Sequence, residues 1–205
     1  MKTPEDVLMQ EIRVLTKNIL NLSYVEFEIK KIVLEEDVSK NKSTVSCDLH
    51  LSNGVNETIQ VRATGSGLVD ALFHGMLGEL STRYCSLDQI SFEDFAVSMT
   101  YNSRLNKTGS DSKVHVVLAV SNSNNSVAHF SHESRSMNSA AINVIMDVME
   151  YYVNCELAVL NLNDYIEDAK KRNRVDLLEI YMSQLAELVR STSYAEVLKK
   201  HRQKN

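Results

Sequence analysis

The sequence predicts an α+β fold: two pseudo-symmetric strand-strand-strand-helix units with antiparallel sheets, plus extra N- and C-terminal helices. Three observations predict it. The spacing of apolar residues changes from helical to alternating and back, twice along the chain. Within each alternating stretch sits a turn rich in Asn, Gly or Ser. Each stretch then ends in a short turn, followed at once by an amphipathic helix.

Leu8, Ile12, Leu15 and Ile19 form one stripe across Pro4 to Leu22, which predicts the first helix. The period then falls to two. Val25, Phe27 and Ile29 alternate with charged residues, and after Lys30 and Lys31 the phase moves to Ile32 and Leu34, as a strand with a bulge requires. The polar stretch 36–44 is expected to be a loop. Val45, Cys47, Leu49 and Leu51 alternate next, and Asn53-Gly54 supplies a tight hairpin turn leading to a third strand over Thr58 to Ala63. After Thr64-Gly65-Ser66-Gly67, the residues Val69, Leu72, Phe73, Met76, Leu77, Leu80 and Tyr84 fall on one helical face.

The second half repeats the order. Phe95, Val97, Met99 and Tyr101 alternate, 102–113 is polar, and Val114, Val116, Leu118 and Val120 alternate again. A turn at 121–125 and a short strand, Val127 to Phe130, lead to Ser134-Arg135-Ser136 and a helix carrying Met137, Ala140, Ala141, Val144, Ile145, Val148 and Tyr152. The hairpin turns lie about 70 residues apart, as a duplicated unit requires. Three regions follow: an N-terminal helix over 1–22, the duplicated unit over 23–156, and a helical extension over 157–205. In that extension Val175, Leu178, Tyr181, Leu185 and Leu188 form a stripe. The basic clusters 170–172 and 199–202 read as solvated turns and a cationic helix end.

Composition excludes several functions. The chain has 205 residues, too few for a complete (β/α)₈ barrel, which takes about 250. Its formal charge of −5 argues against a nucleic-acid partner. No signal-peptide pattern opens it and no apolar run is long enough to span a bilayer, so a cytoplasmic protein with no membrane partner is expected. Cys47, Cys85 and Cys155 are odd in number and lack a CxxC pair, so they read as packing residues. His129 and His132 stand three apart in a strand and face opposite sides, so no metal site is expected. No cofactor is expected either.

The candidate site is the pair of helix starts. A Gly65-Ser66-Gly67 turn between strand and helix lets backbone approach a ligand and points unpaired amides at it, which favours an anion such as a carboxylate. Leu68 and Val69 follow, with Asp70 where a dinucleotide fingerprint needs its third glycine, so a nicotinamide cofactor is not expected. Asp70 has two readings: a helix cap, or a partner for an ammonium group, which would make the ligand a zwitterion. Ser134, Arg135 and Ser136 also have two: caps with an exposed guanidinium, or a cluster in which Arg135 meets a carboxylate.

The run Gly65-Ser66-Gly67-Leu68-Val69-Asp70-Ala71, with His132-Glu133-Ser134-Arg135-Ser136 at the second helix, resembles the C-terminal regulatory domain of 2-isopropylmalate synthase and citramalate synthase. Gly65, Gly67, Val69, Asp70 and Ala71 match that family's first turn, and Ser134 and Arg135 match its second more loosely. Ser66, Leu68, Ser136 and Ala140-Ala141 depart from it. The resemblance covers roughly 23–154. It implies a non-catalytic domain of leucine or isoleucine biosynthesis that binds a small branched-chain amino acid or related acid at Gly65, Ser66, Gly67, Val69, Asp70, Ala71, Ser134, Arg135 and Ser136, and that assembles as a homodimer. The catalytic barrel of that family would belong to a separate synthase subunit. The alternative is a dimerisation or docking module without a ligand.

Overall fold

The computed structural model describes residues 4–52, 56–99, 113–123, 125–191 and 197–198. It has two three-stranded antiparallel sheets and four long helices, a mixed α+β fold with helices at both ends. Helix α1 (Pro4–Leu20) leads through a 3₁₀ turn into strands β1 (Glu26–Asp37), β2 (Lys42–Ser52) and β3 (Asn56–Gly65), then α2 (Leu68–Leu80). The order repeats as β4 (Ser91–Met99), β5 (Val114–Ser121), β6 (Val127–Ser134) and α3 (Met137–Lys171), and α4 (Val175–Ser191) follows.

Alternation decides which face of each sheet is inside. In β2 the side chains of Val45, Cys47, Leu49 and Leu51 are buried, and their neighbours across the ladder include Leu34, Ile32, Ile29 and Phe27 of β1. The phase change at Lys30-Lys31 is a bulge, with the register shifting between Ile29 and Ile32. Helix α2 lies over β3 and β2, and α3 over β6 and β5. Gly75 permits the first of these contacts, since a Cβ there would stand 2.6 Å from the Ala63 Cβ.

Four expectations need correction. The stretch 36–44 is mostly strand: β1 runs to Asp37, β2 starts at Lys42, and only Val38–Lys40 turns. Asp37 accepts from Lys40 N–H at 3.3 Å, and Asn41 tolerates the left-handed φ of 49° that closes so short a connection. Strand β6 continues past Phe130, because pairing Ser131, His132 and Glu133 with Val117, Val116 and His115 satisfies backbone groups whatever the side chains. Helix α2 stops at Leu80, short of Tyr84, and a 3₁₀ turn over Cys85–Gln89 follows. Helix α3 runs unbroken for 35 residues, so the boundary expected at 156/157 falls inside it. No glycine or proline interrupts that stretch. The turn at Asn53-Gly54, the loop at 102–112 and the basic cluster 199–202 lie outside the described residues.

Helix α3 holds the two units together. Its Val144, Ile145 and Val148 are fully buried, and Tyr151 and Tyr152 stack edge-on with ring centroids 5.3 Å apart beside Phe130. Its buried Glu156 accepts the Ser86 N–H at 2.7 Å and the Cys85 N–H at 3.2 Å, fixing the 3₁₀ turn of the first unit. Its Glu150 takes the Tyr24 hydroxyl at 2.8 Å at the start of β1, and burial beside that carboxylate pushes the Tyr24 pKa up. Phe73 of α2 meets Phe92 of β4 edge-on at 5.5 Å.

Candidate functional site

A cavity of about 660 Å³ lies where the two units meet. Its walls come from four elements: Leu34 and Glu36 near the end of β1, Ser66 to Asp70 and His74 at the start of α2, Phe92 and Phe95 of β4, and Met137, Asn138 and Ala141 at the start of α3. The volume suits a small molecule. The first turns of α2 and α3 thus border one cleft.

The first turn is built around Asp70. Its Oδ2 accepts from Ser66 N–H at 2.8 Å and from Ser66 Oγ at 3.2 Å, while Oδ1 stands 2.9 Å from His74 Nδ1. The Ser66 amide, helped by the Ser66 hydroxyl and His74, holds the Asp70 carboxyl below its ordinary range. Of the two sequence readings, capping is the one the geometry displays. Hydroxyl, carboxylate and imidazole stand in the order Ser66, Asp70, His74, so the hydroxyl faces the carboxylate and not the imidazole base that nucleophilic catalysis would use.

The two glycines differ. A Cβ at Gly65 would lie 2.5 Å from Asp70 Oδ2 and 2.6 Å from Ala71 N, so glycine there makes room for the protein's own helix start and not for a ligand. Gly67, the N-cap of α2, has an extended φ of −171°, and a Cβ there would meet nothing within 4 Å. Among the expected site residues, Ser66, Gly67, Val69 and Asp70 line the cavity; Gly65 lies behind the turn and Ala71 is buried in the core.

The second turn contributes differently from expectation. Ser136 caps α3, its Oγ accepting from Ser139 N–H at 3.3 Å, and Ser134 Oγ accepts from Ser136 N–H at 3.3 Å. Neither these serines nor the exposed Arg135 line the cavity; Met137, Asn138 and Ala141 do. Sequence reasoning also missed Leu34, Glu36, Phe92 and Phe95. One signal was present: Glu36 stands two residues after Leu34, on the face where β1 otherwise carries Ile32 and Leu34.

A second, more polar cavity of about 390 Å³ lies between α1, β6 and α3, lined in part by Arg13, His129 and Asp147. The Arg13 guanidinium sits 5.8 Å from the Phe130 ring centroid and 5.6 Å from that of Tyr151. Burial pushes the Asp147 carboxyl up, against the opposing pull of Arg13 and His132. Among the described residues no group of three or more His, Cys, Asp or Glu side chains is placed to hold a metal ion, and no helix is long and apolar enough to cross a membrane.

The chain matches no protein-family model and no curated protein.

Proposed function

We propose that this chain is a non-catalytic regulatory-type domain that binds a small branched-chain amino acid or a related acid in the cavity between its two units. One observation carries the reading: a single cleft gathers the N-terminal turns of both helices, with apolar walls from Leu34, Phe92, Phe95 and Met137 between them. Helix geometry leaves the first amides of each helix without an intrahelical acceptor, which suits a carboxylate, while the walls suit a branched apolar side chain. The resemblance of the Gly65 to Ala71 turn to the 2-isopropylmalate synthase regulatory domain points to the same ligand class and to a cytoplasmic setting. Catalysis would then belong to a separate synthase subunit.

Calorimetric titration of the full chain with leucine, isoleucine, valine and their 2-oxo acids tests this. Binding of any one that is abolished by Ala141→Trp supports the reading. Absence of heat with all of them at millimolar concentration rejects it.

A second reading, assembly without a ligand, is favoured by strand β4. Among the described strands it is an edge strand, and on the face that it shares with Phe95 its Val97 is 43% and its Met99 53% exposed. Two copies pairing through this edge would form an isologous dimer. Light scattering on wild type and Val97→Asp separates the two readings: a dimer that the substitution converts to monomer, in a chain that binds none of the acids, favours assembly alone.

A further inference from the structure

We infer that the groove between α1 and the free edge of β6 receives the C-terminal end of an extended peptide, with Arg13 taking its terminal carboxylate. This groove is the second, more polar cavity, and the inference stands apart from the ligand proposed for the first.

Two features shape the groove. In the order β4-β5-β6, strand β6 pairs with β5 alone among the described strands, so half of its backbone N–H and C=O groups have no partner in the sheet. The cavity meets that edge. Successive side chains of a strand point to opposite faces, so a cavity lying on one face is lined by alternate residues, yet His129, Phe130 and Ser131 all line this one. The opposite wall is α1, which packs chiefly on α3 and leaves a space of about 390 Å³ beside β6.

Charge then decides what fits. Arg13 is half-buried, and its guanidinium is held over the buried rings of Phe130 and Tyr151, 5.8 and 5.6 Å from their centroids. A cation held over aromatic rings keeps its N–H donors for other acceptors, and none of them is hydrogen-bonded or ion-paired to a described residue. Asp147 of α3 is also half-buried and also without such a bond, so two opposite charges line one cavity without touching. A bare oxyanion would satisfy Arg13 but set its charge beside Asp147 with nothing to donate. The last residue of a peptide carries an anion and, two bonds from the carboxyl carbon, an N–H, so a single residue meets both groups. The residues before it supply the alternating N–H and C=O groups that an unpaired strand edge lacks.

The test is a nuclear magnetic resonance titration of the full ¹⁵N-labelled chain with a mixture of acetylated tetrapeptides, randomised in sequence, as free acids or as C-terminal amides. The free acids are expected to move the amide signals of His129, Phe130 and Ser131 and the Arg13 side-chain signal. The C-terminal amides are expected to need roughly tenfold more peptide for the same shift, the scale of one charge-assisted contact. Arg13→Gln, its fold checked by circular dichroism, is expected to remove the difference between acid and amide. No movement of the β6 signals with either mixture at millimolar concentration overturns the inference, as do equal responses to acid and amide in wild type. Acetate or acetylated single amino acids that move the Arg13 signal while the peptides leave β6 unmoved would make this a small-carboxylate pocket, and the peptide reading falls. Should Arg13→Gln not fold, the comparison of acid with amide in wild type alone decides.

Discussion

The side chain of Asn154 brackets the backbone of Val25: Oδ1 accepts the Val25 N–H and Nδ2 donates to the Val25 carbonyl, each at 2.8 Å. One amide thus reproduces the two bonds that a neighbouring strand would make, at the point where the chain enters β1. The partners are 129 positions apart in sequence and both are buried, so this pair fastens the second unit's helix to the first unit's sheet.

Asn154→Ala leaves a buried donor and a buried acceptor without partners, and is expected to cost about 2–4 kcal/mol. The urea midpoint is the measurement. An unchanged midpoint would show that Val25 finds other partners.

The two glycines of the first turn are expected to behave oppositely. Gly65→Ala forces a Cβ within 2.5 Å of Asp70 Oδ2 and 2.6 Å of Ala71 N, and is expected to lower stability by about 1–3 kcal/mol. Gly67→Ala meets nothing within 4 Å at an extended φ, so a change within about 0.5 kcal/mol is expected. Thermal unfolding of the two variants side by side would reveal equal losses if the turn were shaped otherwise.

Asp70 gives stability a pH dependence of known sign. Its folded pKa is depressed, chiefly by the Ser66 amide, so its contribution is present above the unfolded value of about 3.9 and is lost as pH falls through the folded value. Asp70→Asn should therefore be less stable than wild type at pH 7. Because the carboxylate is 42% exposed, the gap is expected to be only about 0.5–1 kcal/mol, closing as pH falls through the folded value. A gap that stays constant from pH 7 to pH 2.5 would contradict the capping geometry.

Asp147 has the opposite sign. Burial raises its folded pKa above the unfolded value, so the stability linked to it is greatest in acid and declines as pH rises through the folded value. Asp147→Asn is expected to be slightly more stable than wild type at pH 7, by under about 1 kcal/mol, since the charged form is the one that burial penalises. Melting curves at pH 7 that show a loss of more than that would mean that the attraction of Arg13 and His132 outweighs desolvation.

Much of the fold was legible because sheets and helices write their period into the sequence. Val45, Cys47, Leu49 and Leu51 announce the inner face of β2, and the phase slip at Lys30-Lys31 announces the bulge. The same local logic misled at 36–44, where polar residues form strand because pairing depends on backbone groups and not on side chains. The site was half legible. Ser66, Gly67, Val69 and Asp70 belong to one contiguous turn with a recognisable pattern, and they do line the cavity. Leu34, Glu36, Phe92 and Phe95 come from strands that meet only when the two units pack, so no local period marks them as neighbours. Asn154, Glu150 and Glu156 were hidden for a related reason. In a helix pattern a polar residue reads as solvated, whereas these three face backbone groups of distant segments.

The length of α3 gives the molecule a mechanical property. At 1.5 Å per residue its 35 residues form a rod roughly 50 Å long, with Met137 and Asn138 in the wall of the cavity at one end and Lys171 at the other. A hydrogen-bonded rod transmits axial displacement instead of absorbing it. Helix α4, joined at that far end by a short turn after Lys171, packs back against α3, so the rod spans from the cavity wall to the C-terminal helix.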